Sequence, residues 1–164
     1  MDQASVAGQM RHALRRLAKA VVVITTRHEG QRHAMTATAV SELCMEPPSM
    51  LICVNKTASL HPALQAGAHF AINILQSDHG PIAAGCSGKD KGEARFQVGD
   101  WTESVIGIPR LANAQASFVC RNVQQVGFGT HAIFIGEVDQ VFVAGTVDPM
   151  IYVDGRFTKT GSDA

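Results

Sequence analysis

The sequence predicts a mainly β fold, an antiparallel barrel with short helices on its rim. Most apolar runs are short and rich in β-branched residues, which is typical of strands. Tight turns with glycine, proline or polar residues separate these runs, so the strands are expected to follow one another in meanders. This order favours an antiparallel barrel over a doubly wound parallel sheet. The 164 residues contain no repeat, low-complexity segment or linker, so one domain is expected over residues 1–164.

The N-terminal half is predicted to begin with an amphipathic helix over residues 4–19. Apolar residues recur there at helical spacing, alongside a basic face. We interpret that face as solvated, with an anionic ligand or partner surface as the alternative. Strands are then predicted over residues 20–26, 33–40, 50–54 and 70–75, with a hairpin at Gly30 and a stop at Glu46-Pro47-Pro48. Short helices are predicted over residues 59–66, with Ser59 as N-cap, and over residues 77–86.

The C-terminal half is predicted to be mostly strand. Residues 87–95 are predicted to form a polar loop. Phe96 and Trp101 follow it, and they are expected to pack in the core or to cover a pocket. The predicted strands cover residues 114–126, 131–144 and 150–153, with breaks at Gly127, Gly129 and Asp148-Pro149 and a last turn over residues 154–158.

Charge and cysteine usage limit the function classes. The formal net charge is zero, so no overall field favours nucleic acid or an acidic membrane surface. No apolar run approaches the length needed to span a membrane. The four cysteines are far apart and form no C-x-x-C pair, which favours reduced thiols in a cytoplasmic protein. The seven histidines show no metal-site spacing, so no metal is predicted.

Two polar segments at strand ends suggest a ligand site. The segment His33–Ser41 is small and hydroxyl-rich, and small side chains allow a flat ligand to approach the backbone. A second polar cluster, Asn55–Ser59, follows the next apolar run. On two adjacent strands, these donors would suit a phosphorylated aromatic cofactor. The alternative is that Thr36 and Thr38 are ordinary strand residues.

The segment Gly127–Ala132 satisfies the pattern G-x-G-x-x-G/A. A dinucleotide fingerprint requires a helix after the loop, whereas a β-branched run follows here, so a Rossmann site is rejected. The glycines are instead expected to form a turn that presents His131 at a strand start. That side chain could donate a hydrogen bond or move a proton near neutral pH, and the alternative is an ordinary surface histidine.

Six segments, in this order, carry a resemblance to a known family. They are His33–Ser41 (G-M-T-A-T-A-hydrophobic-S), Glu46–Lys56 (P-P and an apolar strand with a polar end), Phe70–Leu75 (F-x-V-N-x-L), Ala94–Phe96 with Trp101 (D-R-F and a later D-W), Gly129–Val138 (G-D-H before I-x-x-G-x-V) and Ile151–Phe157 (L-x-Y-x-x-G-x-Y/F). From about residue 10 to 158, the chain resembles the short-chain flavin reductases of two-component monooxygenases, which have the FMN-binding split-barrel fold. His33, Ala94 and Thr130 depart from the family pattern; Thr130 stands where the family usually has aspartate.

The resemblance implies an NAD(P)H:flavin oxidoreductase that transfers hydride from NADH or NADPH to N5 of FMN or FAD. It further implies a homodimer that supplies reduced flavin to a separate monooxygenase. The nicotinamide is expected beside His131, whose catalytic role is positioning. Phosphate is expected at Lys56, and the flavin is expected to contact further residues of two groups. Those in the two polar segments, or directly before the second one, are Thr36, Ala37, Thr38, Ala39, Ser41, Cys53, Val54, Asn55 and Ser59. Secondary contacts are expected from Phe96, Tyr152 and Arg156.

Other functions remain open on the sequence alone. One is a related split-barrel oxidase that retains its flavin. Another is a non-catalytic flavin- or haem-binding carrier or sensor, and a third is a structural or partner-binding barrel. The hydroxyl-rich segment argues against the purely structural barrel, and His131 in its G-x-H turn favours reduction over passive carriage.

Overall fold

The computed structural model describes residues 5–161 and is built around one large antiparallel sheet. Seven strands form this sheet in the spatial order β3-β2-β6-β9-β10-β5-β4. Their bounds are β2 Val22–His28, β3 Gln31–Ala37, β4 Val40–Met45, β5 Pro48–Asn55, β6 Phe70–Ile74, β9 Ala116–Phe128 and β10 His131–Val143. All neighbouring pairs run antiparallel, as the sequence predicted.

Smaller elements surround the large sheet. A three-stranded sheet has the order β1-β11-β12, and a ribbon pairs β7 with β8. These strands are β1 Lys19–Ala20, β7 Trp101–Glu103, β8 Pro109–Leu111, β11 Met150–Val153 and β12 Arg156–Lys159. The helices are α1 Val6–Leu14, α2 His61–Gln65 and α3 Gly80–Ala84, followed by a π-helical turn Gly85–Lys89 and a 3₁₀ turn Gly92–Phe96.

The large sheet is curled so that each face buries its own apolar cluster. On β2, Val22 and Ile24 contribute to the cluster inside the barrel, which also contains Phe70 and Phe134. The alternate residues of the same segment, such as Val23, pack outward against α3 and the turns that follow it. Both faces of β2 are therefore buried, which explains its uninterrupted β-branched sequence.

The N-terminal helix is shorter than predicted. Its predicted start at residue 4 lies outside the described residues, and it ends at Leu14 instead of residue 19. Arg15 leaves the helix because its guanidinium binds Asp154, while its carbonyl accepts a hydrogen bond from the Asp154 amide. The chain then continues as β1 alongside β11.

Several other predicted bounds are wrong for local reasons. Helix α2 begins at His61 after Leu60, so Ser59 is not its N-cap; its hydroxyl faces Arg95 instead. Residues 154–158 were expected to form a turn, but they include β12, which pairs with β11. Strand β4 and the β7–β8 ribbon were not predicted, and Gly127 lies inside β9 without breaking it.

A buried polar network fixes the β7–β8 ribbon to the sheet. The Asn73 side chain is fully buried and donates to the Val23 carbonyl. Its Oδ1 accepts from the Leu111 amide at 3.0 Å and from the Ser117 hydroxyl at 2.9 Å. Each polar group therefore has a partner, as a buried network requires. None of the helices within residues 5–161 is long and apolar enough to cross a membrane.

Candidate active site

A cleft of about 540 Å³ lies where β3 meets the turn after β5 and the two helical turns that follow α3. This volume is within the usual range of cofactor clefts. Four hydroxyl side chains and two cations face it, together with small and apolar groups. The lining residues are Met35, Thr36, Thr57, Ala58, Ser59, Cys86, Ser87, Gly88, Lys91, Gly92 and Arg95.

Arg95 joins the three walls of the cleft. Its Nε donates to the Asp90 carbonyl at 2.9 Å, and its Nη1 donates to the Ala34 carbonyl and to Ser59 Oγ at 3.4 Å. These partners are neutral, and no carboxylate oxygen lies within 4.0 Å of the guanidinium among residues 5–161. The charge therefore remains available to a ligand, because nothing compensates it directly.

Lys91 supplies the second cation of the cleft. It is exposed and has no hydrogen bond or ion pair with any side chain in residues 5–161. Two glycines, Gly88 and Gly92, have positive φ values of 108° and 55° on either side of it. These conformations suit glycine, and a Cβ at either position would meet no atom within 4 Å. The backbone thus stays open to a ligand along this wall.

The cleft holds two of the predicted flavin contacts, Thr36 and Ser59. Thr36 Oγ1 donates to the Ala83 carbonyl at 2.8 Å, which anchors α3 to β3 and leaves the oxygen able to accept. Ser59 is exposed and touches Arg95. Asn55, a further predicted contact, does not line the cleft itself but holds Thr57, which does. Asn55 Oδ1 accepts from the Thr57 amide and hydroxyl at 3.0 and 2.9 Å.

A rim next to the cleft brings Lys56 and His131 together. His131 lies directly across from Asn55 in the β10–β5 pair. Lys56 Nζ donates to the Gly129 carbonyl at 2.8 Å, and the Lys56 amide donates to the Thr130 carbonyl at 2.9 Å. The turn that carries His131 is therefore tied to the end of β5. Thr57 connects this rim to the cleft, since it lines the cleft and binds Asn55.

The strand connection between β3 and β4 contains the other small predicted residues. Thr38 and Ala39 follow β3 directly, and the Ala39 carbonyl accepts from the Cys53 amide at 2.9 Å. This bond continues the pairing of β4 with β5, in which Val40 lies opposite Ile52. The prediction that the strands carrying the two polar segments are adjacent is wrong, because β3 and β5 are not neighbours in the sheet. Ala37 ends β3, Thr38 and Ala39 lie in the connection beside Cys53, and Ser41 lies farther along β4.

Four predicted site residues lie away from the cleft surface. Val54 is fully buried inside the barrel, and Phe96 packs edge-to-face on Trp101 in the outer core. Their side chains serve the core, since apolar burial and ring packing account for both. Tyr152 and Arg156 lie on β11 and β12 of the smaller sheet. None of these four lines the cleft within one chain.

Burial shifts the pKa values of two titratable groups at or near the cleft, Cys86 and His33. It raises the pKa of the Cys86 thiol to about 11, with opposing effects from Arg95, which lowers it, and Asp90, which raises it. The thiol is therefore protonated at neutral pH. The pKa of His33 is lowered by burial and also by the charges of His28 and Arg95. The cations that line the cleft are Lys91 and Arg95, and no histidine of residues 5–161 lines it.

The two cations of the cleft were not among the predicted site residues. Arg95 was visible only as part of the A-R-F match, and Lys91 only as one of two lysines in a polar loop. A backbone that folds into π-helical and 3₁₀ turns gives no periodic signal to show which lysine faces inward. Among residues 5–161, no three histidine, cysteine, aspartate or glutamate side chains gather as a metal site.

Comparisons with known proteins show the family to which this chain is related. The chain matches the flavin reductase like domain over residues 14–161. It is 36% identical over 154 residues to the reductase component of an FADH(2)-dependent resorcinol hydroxylase from Rhizobium sp. (strain MTP-10005), which covers 93% of this chain and 86% of that protein. It is 37% identical over 147 residues to an FMN reductase (NADH) from Variovorax paradoxus (strain S110), with 90% of this chain and 82% of that protein covered.

A solved structure is similar over the whole chain. An NADH:FAD oxidoreductase from Streptomyces globisporus, in complex with NAD and FAD fragments, has a TM-score of 0.89 and 28% identity. The match covers 100% of this chain and 98% of that one. The predicted split-barrel fold and the family resemblance are therefore confirmed. The chain belongs to the flavin reductase like domain family.

Proposed function

We propose that this protein reduces FMN or FAD with NADH or NADPH, and that the flavin binds in the cleft between β3 and residues 86–95. The predicted class of enzyme, a flavin reductase, is supported by relatives that are an FMN reductase (NADH) and a hydroxylase reductase component. The observation that carries the location is the cleft itself. It combines the right volume, hydroxyl groups from two directions and two uncompensated cations.

The cations define where the flavin phosphate would bind. Lys91 and Arg95 line the cleft, whereas the Lys56 ammonium lies at the rim and donates to the Gly129 carbonyl. We therefore assign the phosphate first to Lys91 and Arg95, with Lys56 as a contact at the rim. Thr36, Thr57 and Ser59 supply the hydroxyl groups that can orient the ring edge and the ribityl chain.

The nicotinamide would approach from the rim that carries His131. Hydride transfer from nicotinamide to flavin is chemistry that the two bound cofactors supply. The chain contributes binding, orientation and exclusion of water, and no side chain has to donate a proton in the hydride step. His131 is exposed at the start of β10, next to the cleft, so its imidazole can hydrogen-bond the carboxamide of the nicotinamide.

Four further expectations belong to this proposal. Transfer of reduced flavin to a separate monooxygenase is supported by the resorcinol hydroxylase reductase component. A homodimer would cover exposed apolar side chains such as Met45 and Phe128, and it could bring Tyr152 and Arg156 near a partner's cleft. Sedimentation at micromolar concentration should then show a dimer. A single domain over residues 1–164 and a cytoplasmic location also stay predictions.

Turnover with added flavin tests the proposal. Purified protein should oxidise NADH or NADPH catalytically when FMN or FAD is added in excess, and Arg95→Ala should lower that rate. Anaerobic stopped-flow absorbance should show bleaching of many equivalents of flavin per protein. A protein that reduces only one tightly held equivalent, or that binds flavin without nicotinamide oxidation, would instead be a flavin-retaining oxidase or a carrier.

A further inference from the structure

The residue that precedes His131 makes a direct contact with its ring. Thr130 Oγ1 lies 2.8 Å from His131 Nδ1. Within residues 5–161, the Thr130 hydroxyl has no other hydrogen-bond partner, and no carboxylate oxygen lies within 4.0 Å of either ring nitrogen. The Lys56 ammonium binds the Gly129 carbonyl of the same turn.

A hydroxyl that donates to Nδ1 and a carboxylate beside Nδ1 favour opposite tautomers of a neutral imidazole. An ionised carboxylate only accepts, so beside Nδ1 it holds a proton on that atom and leaves Nε2 as the acceptor. A hydroxyl can donate its proton to Nδ1, and the ring then carries its own proton on Nε2. Thr130 is exposed, and within the described chain Nδ1 is the one acceptor that its hydroxyl proton can reach.

We propose that Thr130 is a positioning residue that holds His131 in the Nε2–H tautomer. The exposed Nε2 then presents a hydrogen-bond donor at the rim, which suits a carbonyl oxygen such as that of a nicotinamide carboxamide. This assignment of ligand chemistry rests on the proposed function. The tautomer itself does not, because it follows from the Thr130 hydroxyl and can be measured without turnover.

Nitrogen-15 NMR of the histidine rings in flavin-loaded protein tests the tautomer. A neutral imidazole carries one proton, on Nδ1 or on Nε2, and spectra recorded at about pH 8.5 show which. The expected result is a protonated Nε2 and an unprotonated Nδ1 for His131. Thr130→Ser should preserve it, Thr130→Asp should move the proton to Nδ1, and Thr130→Val should give a mixture. A proton on Nδ1 in the parent, or a tautomer that Thr130→Val leaves unchanged, would overturn the proposal.

Steady-state kinetics test whether the Nε2–H donor of His131 contributes to NADH binding. Thr130→Val should raise KM for NADH about threefold to tenfold while kcat changes less than about twofold, and Thr130→Ser should restore both. A fall in kcat alone, or no rescue by serine, would contradict the role assigned to the hydroxyl. If no variant, including the parent, reduces flavin, the proposed function fails, whereas the NMR result still decides the tautomer.

Discussion

Gly136 in β10 faces closely packed side chains in the barrel interior. A Cβ built there would lie 2.5 Å from Phe70 Cζ and 2.5 Å from Cys120 Cβ. Both neighbours are fully buried in the inner cluster, so neither can move into solvent. We therefore expect Gly136→Ala to destabilise the protein, because a methyl group must displace a packed ring or shift the strand.

The magnitude follows from the cost of overpacking a closed core, which is about 1–3 kcal/mol for an inserted methylene-sized group. For a chain of this length, each kcal/mol lowers the melting temperature by about 2–4 °C, so a fall of about 2–12 °C is expected. Urea unfolding followed by circular dichroism, with calorimetry for the melting temperature, measures both quantities.

Gly127 provides a matched control on the neighbouring strand β9. A Cβ there would meet only Lys56, with its Nζ at 3.7 Å, which is an ordinary contact. Gly127→Ala should therefore change the free energy of unfolding by less than about 0.5 kcal/mol. Equal stability of the two variants, or a Gly136→Ala protein as stable as the parent, would refute the packing argument.

Two further predictions concern titration. Burial raises the pKa of Cys86 to about 11, so at pH 8 only about one thiol in a thousand is ionised, and iodoacetamide should label the exposed Cys44 well before Cys86 in mass spectrometry. Burial also lowers the pKa of His79, against a weaker raising effect of Asp78, and its Nδ1 accepts from the Gln76 amide. Because folding lowers this pKa, the unfolded chain takes up the proton first as the pH falls below its own value of about 6.5, and the folded state loses stability. Urea unfolding at about pH 7.5 and about pH 5.5 should therefore show a larger loss of unfolding free energy for the parent than for His79→Gln.

The sequence predicted the central strands well because their burial is visible as local composition. The run around Val22 and Ile24 is β-branched throughout since both of its faces are covered. Strand β4 was missed for the opposite reason. It is an edge strand whose residues from Ser41 to Met45 are all exposed, and its sequence V-S-E-L-C-M does not alternate between apolar and polar residues.

The candidate site was predictable only in part. Thr36 was found in a hydroxyl-rich segment that matches a family pattern, Ser59 was found in the polar cluster that follows an apolar run, and the cleft contains both. Lys91 and Arg95 were missed because their approach to β3 depends on irregular turns that join residues distant in sequence. The family pattern also selected Val54 and Phe96, whose side chains pack in the core, since a motif does not separate packing residues from ligand contacts.

Flavin titration tests the central claim, that the flavin phosphate binds Lys91 and Arg95 in the cleft. Fluorescence quenching gives Kd values for FMN and riboflavin, which differ only in the phosphate. Lys91→Ala should weaken FMN about tenfold or more, because a charge-assisted contact is worth about 1.5–3 kcal/mol, and should leave riboflavin within about twofold. Lys89→Ala, an exposed lysine two residues away that does not line the cleft, should change neither value. Equal weakening of both ligands by Lys91→Ala, or selective loss of FMN only in Lys56→Ala, would contradict the account.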